Sequence, residues 1–184
     1  EKVPLKDLIL RSANPDGGFN KEKVKQIFSE ADKTQLKEIC TYRSSSGKTI
    51  LHWLCMKYAS INVIKKVLKT LGAEVACQLC DDNLEFPLHL AVEYKASVKV
   101  ISKLLEASSS LEDHKRPVNM SNNLWKFPHE DAKSNGSSKE VVNMLVDASL
   151  ETSISSQDTE GLEETISALR NPNIKSIHLV FNIF

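Results

Sequence analysis

Four cysteines and five histidines supply the side chains of this chain best suited to metal, redox or acid–base chemistry. Two of the cysteines lie in Cys77-Gln78-Leu79-Cys80. A pair at this spacing can hold two corners of a zinc tetrahedron, or cycle between dithiol and disulfide. A structural zinc site needs four ligands, and Cys40 and Cys55 do not form a second pair. They sit inside apolar helical patterns, where a free cysteine behaves as a small hydrophobe. His114 and His129 would join the pair only by coincidence of folding. Redox use needs the motif at a helix N-terminus, which lowers a thiol pKa, whereas this motif falls in a connection between two patterned segments. The pair is read as structural, with no metal and no cofactor expected. His129-Glu130-Asp131 has metal-ligand residue types, but three successive helical residues point in different directions. The chain has no local Ser/His/Asp signature, no phosphate-cradling glycine loop and no dinucleotide fingerprint; Gly17-Gly18 is too short to be one. These residues predict a protein that is not an enzyme.

Bulk properties narrow the alternatives. With 24 Lys plus Arg against 24 Asp plus Glu, the net charge is zero, so the electrostatic driver of nucleic-acid binding is missing. The densest basic cluster, Lys21, Lys23 and Lys25, alternates with Glu22 and Val24 as a solvated helix face does. No run approaches the ~20 apolar residues of a membrane span, and no charged-then-apolar leader is present. The sequence starts at Glu1 rather than Met, which suggests a fragment or a processed product. Four cysteines in 184 residues do not make a disulfide scaffold. The expected location is therefore intracellular, in the cytoplasm. The sequons at Asn119 and Asn135 are no more than chance supplies in a chain rich in Asn and Ser.

The elements that would position the histidines recur along the chain. Gly47-Lys48-Thr49-Ile50-Leu51-His52-Trp53-Leu54-Cys55 aligns with Glu85-Phe86-Pro87-Leu88-His89-Leu90-Ala91-Val92 and, more loosely, with Lys126-Phe127-Pro128-His129-Glu130-Asp131-Ala132. Each is followed by an apolar stripe at helical spacing: Val63, Ile64, Val67, Leu68; Val100, Ile101, Leu104, Leu105; Val141, Val142, Leu145, Val146. His52 to Leu68, His89 to Leu105 and Glu130 to Val146 are each 16 residues apart, whereas His52 to His89 is 37 and His89 to Glu130 is 41. A constant interval inside the unit implies two packed helices and their turn. A variable interval between units puts insertions in surface connections. Each helix is too short to be stable alone, so the units must stack.

These residues resemble the ankyrin repeat, whose hallmark is Gly-x-Thr-Pro-Leu-His-x-Ala before a second helix ending in a Leu pair. The first unit keeps Gly47, Thr49, Leu51 and His52; the second keeps Pro87, Leu88, His89 and Ala91; the third keeps Pro128 and Ala132. The resemblance covers about residues 43–150. It implies an all-α solenoid of stacked helix pairs, with short β-hairpin fingers in the connections, and a structural role for the histidines in tying units together. Val24, Ile27 and Phe28, with Leu36, Ile39 and Cys40, would form a divergent capping unit, giving an array over 20–150 after an extension at 1–19. A polar linker is expected at 151–161 and a helix–strand segment at 162–184, where 174–182 matches a single leucine-rich repeat.

The implied function is a protein–protein interaction module or adaptor, monomeric, with no nucleic-acid or membrane partner. A regulatory or targeting domain cut from a larger enzyme or pathogen effector is the alternative. In ankyrin-like stacks partners dock on the concave side. Carried over to this chain, that side comprises Trp53, Met56 and Lys57 in the first clear unit and Leu90, Glu93 and Tyr94 in the second. The fingers would add Arg43, Lys48, Asp82, Asn83 and Glu85. Trp53 and Leu90 flank the signature and could instead serve packing between units.

Overall fold

A computed structural model describes residues 21–57 and 59–155, and among these the protein is helical with no strand. Nine α-helices follow in order: α1 Lys21–Glu30, α2 Lys33–Thr41, α3 Ile50–Met56, α4 Ile61–Leu71, α5 Ala73–Gln78, α6 Pro87–Glu93, α7 Val98–Ser108, α8 Pro128–Ser134 and α9 Lys139–Ser155. Two 3-10 turns, Asp113–Lys115 and Pro117–Asn119, interrupt the connection after α7.

Local chemistry sets the helix starts. Asp32 accepts from the Gln35 amide at 2.9 Å while the Gln35 side chain accepts from the Asp32 amide at 3.0 Å, a reciprocal cap on α2. Pro87 and Pro128 open α6 and α8, where a missing N–H costs nothing. The short helices α3, α6 and α8 share one ending. The amides of Ala59, Ala96 and Ser137 donate to the carbonyls of Leu54, Ala91 and Ala132, five residues back. The residue before the donor is left-handed at Lys95 and Gly136, the chain reversal of a Schellman-type stop.

The helices pack in two layers. Helices α3, α6 and α8 lie side by side in one, and α4, α7 and α9 in the other, each short helix against the longer one that follows it. At the first end, α2 packs on α3 and α4, and α1 on α4. The core is continuous through these contacts: Phe28, Ile39 and Cys40, then Leu51, Leu54 and Ile64, then Leu88, Ala91, Ile101 and Leu104, then Ala132 and Leu145. Small Ala91 and Ala132, both fully buried, leave room for close helix approach.

Three expectations change. Leu105, Val142 and Val146 are half-buried rather than core, because α7 and α9 turn Leu104, Val141 and Leu145 inward instead. An additional helix, α5, packs on α4 and α7 and carries Cys77. The 151–161 linker does not begin at 151, since α9 runs through Ser155. The remainder of that linker, the 162–184 segment with its leucine-rich pattern, and the 1–19 extension lie outside the described residues.

Candidate functional site

The histidines hold the frame. In α3 the His52 Nδ1 accepts from the Thr49 amide at 3.1 Å. That assigns the proton of the neutral ring to Nε2, which donates to the Glu85 carbonyl of the next unit at 3.0 Å. His89 repeats the first bond, accepting from the Phe86 amide at 3.3 Å. Its Nε2 faces the Lys126 and Met120 carbonyls without closing a hydrogen bond of standard geometry. Burial pushes both imidazoles down to about 4, so both are neutral at pH 7. In the third unit Glu130 takes over, its carboxylate accepting from the Phe127 amide at 2.9 Å. His129, one residue earlier, is buried and stacks on Phe127 with ring centroids 5.9 Å apart.

Ahead of α3, α6 and α8 stands the same loop, here called a finger. Ser44, Asp81 and Asn122 each place a side-chain oxygen where two later amides donate to it: Ser46 and Lys48, Asn83 and Glu85, Leu124 and Lys126. These are Asx- and Ser-type turns, which suit short polar side chains. Each finger closes with a bond from the amide of its first residue to the carbonyl of its fifth, Asp81 to Glu85 and Asn122 to Lys126 at 3.0 Å, and Ser44 to Lys48 at 2.9 Å. An antiparallel bridge, Arg43 to Thr49, is the extent of β pairing among the described residues. Adjacent fingers are joined as well: the Asp82 amide donates to Ser46, and the Asn123 amide to Asn83.

The predicted finger residues divide between frame and surface. Arg43 donates to the Cys80 carbonyl at 3.3 Å. Lys48 is mostly covered, bonded to the buried Asp81 carboxylate and 3.8 Å from that of Glu85. Burial alone would raise Asp81, but the bonds from Lys48 and from the Glu85 and Asn83 amides hold it below the usual carboxylate range. Asp82 and Asn83 are exposed.

On the helices, Leu90 is corrected: at 1% exposure it belongs to the core, because α6 is covered by α3 on one side and α8 on the other. Trp53, Met56, Lys57 and Tyr94 are half-buried and Glu93 is exposed; they lie on or at the ends of α3 and α6, two helices that pack on each other. The indole Nε1 of Trp53 is turned inward with no hydrogen-bond partner among the described residues, so this ring shares its area between packing and surface.

Around Glu93 lies an acidic field. Burial raises the carboxyls of Glu85, Glu93 and Asp131, and neighbouring acids add to it: Asp81 and Glu93 act on Glu85, and Asp131 on Glu93. Lys126 approaches Asp131 at 3.7 Å, and Lys48 serves Asp81 and Glu85. Glu93 has no ion pair among the described residues.

The sequence matches no family model and no curated protein.

Of the Cys77–Cys80 pair, Cys77 offers little reactivity, while Cys80 is partly exposed. Cys77 is buried near the end of α5 and its thiol is pushed up to about 12, as are those of the buried Cys40 and, further still, Cys55. Among the described residues no cluster of His, Cys, Asp and Glu is placed to hold a metal ion.

Sequence reasoning missed three residues. Leu84, Leu124 and Trp125, on the second and third fingers, are 52%, 67% and 84% exposed. The available signal was alignment: Leu84 and Trp125 occupy the register of Gly47, where a glycine is the expected turn residue.

Proposed function

We propose that the chain is a protein-binding module, an ankyrin-type solenoid that holds a partner protein along its fingers and the adjoining exposed ends of α3 and α6, and that it performs no catalysis of its own. One observation carries this reading. Three fingers share a hydrogen-bonded backbone while their tips carry different side chains, Ser46 and Gly47, Asn83 and Leu84, Leu124 and Trp125. A repeated rigid frame with variable exposed residues positions a contact surface at low ordering cost. The groups best suited to acid–base chemistry are committed to that frame, His52 through both ring nitrogens. Zero net charge supports a protein partner over nucleic acid. No helix among the described residues is long and apolar enough to cross a membrane. An intracellular, cytoplasmic and monomeric protein is part of the same reading, supported by thiols that are buried and unpaired at Cys40, Cys55 and Cys77.

The test is affinity capture with the full chain, alongside Trp53→Ala and Tyr94→Ala and with melting temperatures measured in parallel. A partner held through this face loses about 2 kcal/mol or more of binding on truncation of an anchor residue. Capture of nothing beyond a tag-only control, across lysates of several cell types, would remove the reading.

A further inference from the structure

Backbone strain and exposure coincide at two equivalent positions. Leu84 and Trp125 have φ of +57° and +59°, in the left-handed region that side chains disfavour and glycine does not. Gly47 holds the same place in the first finger at φ +73°. Glycine would therefore suit all three sites, yet two carry large apolar side chains that bury little. Among the described residues the large apolar side chains left exposed are Val75, Leu84, Leu124 and Trp125, and three of these four crown two adjacent fingers. The fingers are locked together by the Asn123 amide on the Asn83 carbonyl at 2.9 Å, which sets the three exposed side chains on neighbouring tips of one fixed frame, here called the ridge. A bulky residue in a strained and solvated position adds nothing to folding that glycine would not. Its placement points outward, to something that covers it.

Beside the ridge, and joined to it through Glu85 and Lys126, is the acidic field of Glu85, Glu93 and Asp131. Lys48 and Lys126 approach Glu85 and Asp131, whereas Glu93 feels Lys48 only at longer range and has no ion pair among the described residues. Four carboxylates, Asp81, Glu85, Glu93 and Asp131, stand here against two paired lysines, Lys48 and Lys126, which leaves the face with an excess of negative charge.

We propose that the ridge of Leu84, Leu124 and Trp125, together with the neighbouring acidic cluster to which Glu93 belongs, docks a basic segment of a partner protein that carries an aliphatic or aromatic anchor. The anchor lies on the Trp125 and Leu84 side chains, and a Lys or Arg of the segment supplies the missing counter-charge at Glu93. This rests on the protein-binding reading and specifies its partner. An acidic partner would be repelled, and a purely apolar one would leave Glu93 covered and unpaired.

The experiment is selection of a random dodecapeptide display library on the immobilised full chain, followed by titration of enriched synthetic peptides against variants. Enriched peptides are expected to share a net positive charge and an aliphatic or aromatic residue, and to bind more weakly as salt rises. Trp125→Gly, Leu84→Gly and Glu93→Gln should each raise Kd by about tenfold or more. The two glycine variants should melt at the same temperature as the parent or higher, which separates lost contact from lost fold. Peptides without basic bias, or peptides whose affinity survives these changes and falls with Trp53→Ala, overturn the ridge while leaving a binding module. A melting temperature lowered by several degrees in Trp125→Gly also overturns it, because the side chain then serves folding. No enrichment over a blank surface removes both this proposal and the reading beneath it.

Discussion

The first finger ends against its neighbour, and the third ends in solvent. At Gly47 an added Cβ would stand 2.5 Å from the Asp82 Oδ1 and 3.1 Å from the Asp82 amide, so the second finger closes over this position. At Trp125 the same backbone, with φ +59°, supports a side chain that is 84% exposed. The helices behind them differ in the same sense. His52 is fully buried and bonded at both nitrogens, whereas Glu130 is half-buried and its described bond is a single cap. One hydrogen-bond pattern thus serves two ends: it cements the first units together, and it presents side chains at the last.

Acid should weaken the first two units most, with the buried His129 of the third, also lowered by burial, acting in the same sense. His52 and His89 are held at about 4 in the fold and titrate near 6.5 when unfolded. The unfolded chain therefore binds more protons between these values. The stability they contribute is fully present above about 6.5 and is lost as pH falls toward 4. A shift of one unit is worth ~1.4 kcal/mol per site. The loss by pH 4.5 should reach several kcal/mol, read from urea unfolding across pH. Glu85, Glu93 and Asp131, raised by burial, act oppositely, and their relief enters only as pH falls into the carboxylate range. A flat profile between pH 7 and 5 would mean the imidazoles are solvated and do not cement the units.

Substitution at the shared cap position sharpens the comparison. His52→Ala leaves the Thr49 amide and the Glu85 carbonyl without the ring and opens a cavity, so it should cost roughly 2–4 kcal/mol. Glu130→Ala removes one side-chain cap at a half-exposed site and should cost about 0.5–1.5 kcal/mol. Equal losses in urea unfolding would show that the third unit is cemented as tightly as the first.

At the fingertips the two ends should respond with opposite signs. Gly47→Ala meets both the left-handed backbone and the Asp82 contact and should lose about 1–3 kcal/mol. Trp125→Gly should leave stability unchanged or raise it by up to ~1 kcal/mol, since glycine occupies this backbone without strain. Losses of similar size at both sites would mean that Trp125 is held by packing, and the contrast between the two fingers would fall.

Much of this frame is legible in the residues. The 16-residue interval inside each unit corresponds to a helix pair, and the 37- and 41-residue intervals carry over to the finger turns, with positive φ at 47, 84 and 125. Asp32 with Gln35 announces a helix start through bonds that span three residues, and the prolines at 87 and 128 do so through a fixed φ and an N–H that is not needed there. The alignment of Glu130 with His52 and His89 also finds its physical content, because a carboxylate and an imidazole nitrogen both accept from the amide three residues before them.

What a side chain faces was decided by the neighbouring unit. Trp53 and Leu90 hold the same place in α3 and α6. The first is half-buried and the second is core: α6 has a short helix of its own layer on each side, α3 and α8, whereas α3 has one only on the α6 side. Lys48 reads as a surface charge until Asp81 of the next finger covers it. The ridge at Leu84, Leu124 and Trp125 depends on two fingers being held in line by an amide–carbonyl bond forty residues apart in the chain. Local hydrogen bonds and apolar periodicity determined the unit. The register of one unit on the next determined which of its residues are cement and which are surface, and that register is a property of long-range packing that no short stretch of sequence contains.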